Sequence, residues 1–145
     1  MTRDRRHLTI FGSRSLSGVK VYNLISIIVE EYKPTIIITS AKIKGVCEVV
    51  RNFCEEKSLP LLVYFADPKY HKGMYKHRSD AMIANSDYVL LIHDGESKGT
   101  ANELAMVKKT GIPHSYHKLP AKKGAFADMD IRLDEMDDFL KVMIK

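Results

Sequence analysis

Tryptophan is absent, cysteine occurs only twice in 145 residues, and aromatic side chains make up 8% of the chain. Eight glycines and five prolines form no repeat, no low-complexity tract and no linker long enough to divide the sequence. Nowhere does an apolar run approach the roughly 18 residues that a membrane span requires. The charged opening, residues 1–6, is followed by an apolar strand of a few residues, too short for a signal-peptide core, so a cytoplasmic location is expected. The histidines are scattered, and neither Cys-x2-Cys nor His-x3-His spacing occurs, so no structural metal and no cofactor are expected. Cys47 and Cys54 fall in a segment with helical periodicity, which sets them about 10 Å apart along the axis. A disulfide needs alpha carbons within roughly 7 Å, so two buried thiols acting as small hydrophobes are expected instead.

What is present fits one domain with a single substantial core: 45% hydrophobic residues, 28% charged and a net charge of +5. That charge permits a polyanionic partner without requiring one. Lys69, Lys72, Lys76 and Arg78, with His71 and His77, form a basic stretch, and the tail from Asp128 to Asp138 is acidic. Solvated surface accounts for both runs equally well.

Apolar strands alternate with amphipathic helices from the start. Strands are expected at 7–11, 35–39, 61–65, 88–92 and 114–117. The run Thr35–Thr39 is continuously β-branched, as in a strand buried on both faces. Helices are expected at 17–32, 45–58, 73–85 and 99–110, with a terminal one over 134–144 that presents Met136, Phe139, Leu140 and Met143 on one face. The first is richer in apolar residues around Leu24–Val29 than one core face needs, which suggests a homodimer. Such alternation produces an α/β three-layer open sheet, mostly parallel, with strand order 3-2-1-4-5. Winding then reverses between the first and fourth strands, and ligands bind outside the carboxyl ends of the strands at that crevice.

Two loops meet there. Gly12-Ser13-Arg14-Ser15 offers close backbone approach, two hydroxyls and a guanidinium. Gly95-Glu-Ser97-Lys98-Gly99-Thr100 opens a helix whose amides and positive end attract anions. It is not a P-loop, because the Gly-x4-Gly-Lys-[Ser/Thr] order is missing. Glu103 sits one turn into that helix. With Thr100 as N-cap it spells a capping box, and as a catalytic group it would project into the crevice. Arg78 shares a helical stripe with Met74 and Met82, so an inward charge there needs a partner: a salt bridge to Asp67 or Asp80, or a ligand in the crevice. His93 and Asp94 end the fourth strand and either line the crevice or stand by as hydrogen-bonded neighbours.

Arg78-x3-Met82, a strand, and then Gly99-Thr100-x2-Glu103 resemble the paired motifs of the "lonely guy" (LOG) phosphoribohydrolases. Gly12-Ser13-Arg14, Gly45-Val46 and the phrase SKGTANELAMVKKTGIP resemble the small YspA-like members of the wider SLOG superfamily, which also takes in the DNA-processing protein A fold. The resemblance covers residues 7–117. It implies a Rossmann-like domain that binds nucleotides or nucleotide-derived ligands. It also implies a catalytic Glu103, an Arg78 that orients phosphate or ribose, and a 5′-phosphate held by Ser97, Gly99 and Thr100. The candidate ligand-binding set is therefore Gly12, Ser13, Arg14, Ser40, Gly45, Met82, Gly95, Ser97, Lys98, Gly99 and Thr100. The chain departs from the LOG pattern where Ser40-Ala-Lys42-Ile-Lys-Gly45 replaces a triple glycine, Arg78-Ser79 replaces Arg-Asn, and Asp94-Gly-Glu-Ser97 replaces Pro-Gly-Gly. Cys47 stands where the YspA-like pattern has aspartate. Three functions follow as expectations. The first is hydrolysis of the N-glycosidic bond of a nucleoside monophosphate. The second is a non-catalytic nucleotide sensor, and the third a single-stranded nucleic-acid binder using the basic stretch with Tyr70 and Tyr75.

Overall fold

The computed structural model describes residues 5–121. The expected terminal helix over 134–144 and the acidic run from Asp128 to Asp138 lie outside the described residues. β-Branched and leucine-rich runs form five strands: β1 (His7–Gly12), β2 (Ile36–Ser40), β3 (Leu61–Tyr64), β4 (Tyr88–His93) and β5 (His114–Lys118). Between them lie α1 (Val19–Tyr32), α2 (Val46–Lys57), α3 (Met74–Ala84) and α4 (Lys98–Thr110). The strands pair in the order β3-β2-β1-β4-β5, and every pairing is parallel. This is a Rossmann-like α/β fold, and its sheet is parallel throughout.

Side chains alternate across a strand, so a parallel sheet buried on both faces divides its apolar residues between two cores. Leu8, Ile10, Ile37, Leu90 and Ile92 face α1 and α2, where Val21, Ile25, Val50, Phe53 and Cys54 meet them. Phe11, Ile38, Val89 and Leu91 face α3 and α4, against Met82, Ile83 and Val107. Burying each such side chain stabilises the fold by about 1.5–3 kcal/mol before entropy is counted. Cys47 and Cys54 are free and buried, and burial pushes the Cys54 thiol up to about 11, away from reactivity. In α1, Leu24, Ile28 and Val29 pack on the first core, while Ile27 stays 55% exposed.

Two local expectations change. Residues 68–73 are a short 3-10 helix instead of a loop, begun by Pro68 and by the Asp67 carboxylate accepting from the Lys69 amide. More consequentially, α4 starts at Lys98 with Ser97 as N-cap. Thr100 therefore lies inside the first turn, and the capping-box explanation of Glu103 falls.

Two glycines weld the first loop to α2. A Cβ on Gly12 would come within 2.2 Å of the Val46 Cβ, so only glycine lets α2 approach the end of β1. Gly45, the N-cap of α2, has φ +85, and a Cβ there would meet the Arg14 Cα at 2.4 Å. The Ser13 carbonyl also accepts from the Val46 amide at 3.2 Å.

Candidate functional site

Because β1 and β4 are neighbours, the loops that follow them are stitched together. The Ser13 hydroxyl lies 2.8 Å from the Ser97 hydroxyl and 3.3 Å from that of Thr100, and it accepts from the Asp94 amide at 3.1 Å. Asp94 braces the second loop: its carboxylate accepts from the Ser15 hydroxyl at 2.6 Å and from the amides of Glu96 and Ser97. Burial alone would raise the Asp94 pKa. The bonds from Ser15, Ser97 and Glu96, with His93 nearby, overcome that and bring it down to about 2. His93 lies 2.7 Å from the Tyr116 hydroxyl through Nδ1, while its Nε2 donates to the Ser97 carbonyl at 2.9 Å. His93 and Asp94 thus hold the loop in shape.

Beside this seam lies a buried charge cluster. Arg78 of α3 reaches Glu103 of α4, with Nη2 donating to Oε2 at 3.4 Å, and the two side chains are 5% and 4% exposed. The Ser79 hydroxyl donates to the same Oε2 at 3.1 Å. The partners anticipated for Arg78 are engaged elsewhere, Asp80 with Lys76 and Asp67 at the 3-10 cap. On its outer side the Arg78 guanidinium lies 5.4 Å from the centre of the exposed Tyr75 ring.

Glu103 Oε1 and Arg78 Nε have no hydrogen-bond partner among the described residues. Lys42, from the loop between β2 and α2, places its ammonium 3.9 Å from Oε1. Burial raises the Glu103 pKa above the ordinary carboxylate value, against the lowering effect of Lys42, Arg78 and Ser79. A buried carboxyl with raised proton affinity suits proton transfer.

The expected residues divide into three groups. Gly12, Ser13, Gly95, Ser97, Lys98, Gly99, Thr100, Arg78 and Glu103 come together around the β1–β4 seam, and Arg14 is exposed on its rim. Gly45 acts one step back by letting the Arg14 backbone pack against α2. Ser40 and Met82 turn elsewhere. The Ser40 hydroxyl lies 3.2 Å from the Cys47 sulfur, and Met82 is wholly buried in the α3–α4 core. Sequence reasoning did not assign Lys42 or Ser79 to the site. Ser79 follows Arg78 directly and stands where the LOG motif has asparagine, which were its two signals.

A shallow groove of about 500 Å³ between α1 and β5, lined by Lys20, Leu24, Ile27 and Tyr116 among others, meets this site through Tyr116, whose hydroxyl lies against His93. Among the described residues no cluster of histidine, cysteine and acidic side chains could hold a metal ion, and no helix is long and apolar enough to cross a membrane. No family model, no curated protein and no solved structure matches the chain.

Proposed function

We propose that the β1–β4 crevice binds a nucleotide or nucleotide-derived ligand by its phosphate, and that Glu103 hydrolyses the N-glycosidic bond of a bound nucleoside monophosphate. The observation that carries this is the buried Arg78–Glu103 pair beside the first turn of α4, whose N-cap Ser97 makes no side-chain capping bond. Glycine at 99 leaves the first turn of α4 open to an anion, and the helix dipole favours negative charge there. Lys98 and Arg14, both exposed, add cationic reach. The amides hold the phosphate and the carboxylate faces the sugar, so binding energy remote from the reacting bond positions it.

Hydrolysis breaks the bond between the anomeric carbon and the base nitrogen, and the electron pair leaves with the base. The sugar acquires oxocarbenium character, which the ionised Glu103 stabilises. Water adds its oxygen to the anomeric carbon and gives a proton to Glu103, which passes it on to the departing base. Incubation with a panel of nucleoside monophosphates, followed by chromatography, should reveal a free base. Glu103→Gln should lower that release by at least about a hundredfold while binding is retained. Turnover unchanged by this substitution would remove Glu103 from the chemistry.

A second function, sensing without cleavage, draws support from Lys42 lying against Glu103 and from the contact between Ser40 at the end of β2 and Cys47 in α2. Ligand-induced thermal stabilisation with no product after long incubation would decide for it.

A further inference from the structure

Three distances define Lys42. Its Nζ donates to the Gly12 carbonyl at 3.4 Å, lies 3.9 Å from Glu103 Oε1, and sits 4.0 Å from where a Cβ on Gly99 would be. Gly12 belongs to the first loop and Gly99 to the first turn of α4. One ammonium therefore touches both walls of the crevice and the carboxylate within it. The Lys42 side chain is 19% exposed, against 4% for Glu103. The hold on Glu103 is uneven. Oε2 accepts from Ser79 and Arg78, whereas Oε1 is enclosed without a hydrogen bond, and 3.9 Å from Lys42 is beyond hydrogen-bond reach.

We propose that Lys42 is a positioning residue that exchanges Glu103 for the phosphate of an incoming ligand, so that anion binding at the start of α4 uncovers Glu103 Oε1 for the sugar. This rests on the phosphate binding proposed above. An ammonium has three donors. One stays on the Gly12 carbonyl and two are available to a phosphate, which accepts charge-assisted bonds of about 2.7–2.9 Å. A hydrogen-bonded dianion outcompetes a carboxylate oxygen held by charge alone. Among the described residues, the charged groups facing Glu103 are Lys42 from the β2–α2 loop and Arg78 from α3, with the Ser79 hydroxyl beside it. Withdrawal of Lys42 leaves Arg78 as the sole cation against burial, so the carboxyl binds its proton more tightly. Anion binding thereby raises the proton affinity of the ionised Glu103, the group that takes the proton from water.

The test uses the full chain with sulfate as the probe, whose charge is constant over the range titrated. The carboxyl-carbon NMR signal of Glu103 is followed against pH with and without saturating sulfate. In the wild type, sulfate should move the Glu103 midpoint upward. In Lys42→Met the midpoint should already be higher without sulfate, sulfate should move it less, and sulfate affinity should fall about tenfold. Lys42→Arg should restore the wild-type pattern, and Lys42→Gln gives the same readout should the methionine variant not fold. Equal sulfate-induced shifts in wild type and Lys42→Met overturn the role of Lys42 while leaving the anion site standing. Failure of the wild type to bind sulfate or ribose 5-phosphate removes the phosphate site, and this inference with it.

Discussion

Arg78 and Glu103 are both almost wholly buried, where an unpaired charge is costly, and each is a partner for the other. Removing one partner strands the other. Arg78→Met should cost about 3 kcal/mol of stability near neutral pH, measured by denaturant unfolding. The pH dependence has a definite sign. Burial holds the Glu103 pKa above its unfolded value, so the stability from this group is full below the ordinary carboxyl range and is lost as pH rises through the folded value. Loss of Arg78 raises that folded value further, so the cost should shrink as pH falls through it and the carboxyl takes up its proton. A cost that stays constant with pH would show that Arg78 stabilises by packing alone. At this scale the sequence revealed Arg78 and Glu103 through an inward charge on an apolar stripe and a carboxylate near a helix start. Lys42 escaped, because nothing local says that a residue after β2 will reach across Gly12 to α4. Thr100 misled for a local reason: Thr-x-x-Glu is a capping box only if the threonine stands outside the helix, and α4 begins at Lys98.

Among the elements, α2 and β1 are coupled through a contact with no slack. Gly12→Ala should destabilise the protein by about 1–3 kcal/mol, since the new methyl has to displace Val46, itself wholly buried. Gly73→Ala is the matched control. Its Cβ position is open and its φ is −86, so thermal unfolding should stay within about 1 kcal/mol of wild type. If Gly12→Ala behaves like the control, the close approach of α2 is not rigid. The strands and long helices were readable because their apolar residues recur with the period of the element. The 3-10 helix at Pro68–Gly73 was not, since its six residues bury nothing and carry no period. Its signal lay in Asp67-Pro68, a carboxylate cap followed by a proline suited to a first helical position.

Across the whole molecule, a net charge of +5 and the exposed Lys69, Lys72 and Lys76, with Lys69 lying over the Tyr70 ring and Arg78 turned inward, bear on nucleic acid. Oligonucleotide binding by fluorescence anisotropy should weaken steeply between about 50 and 200 mM salt, as backbone phosphates are traded for counterions. A mononucleotide in the crevice, with one phosphate, should show a much shallower slope. Equal slopes would favour the basic stretch as the place where both bind. Strand order has a consequence of another kind. β1 is central, yet Leu8 finds its partner Tyr88 only after two other strands and three α-helices have been made. As the chain leaves the ribosome, one flank of β1 waits uncovered until β4 emerges. The seam between them closes only after β2 and β3 have emerged, and β5 then completes the sheet, so the pocket matures late.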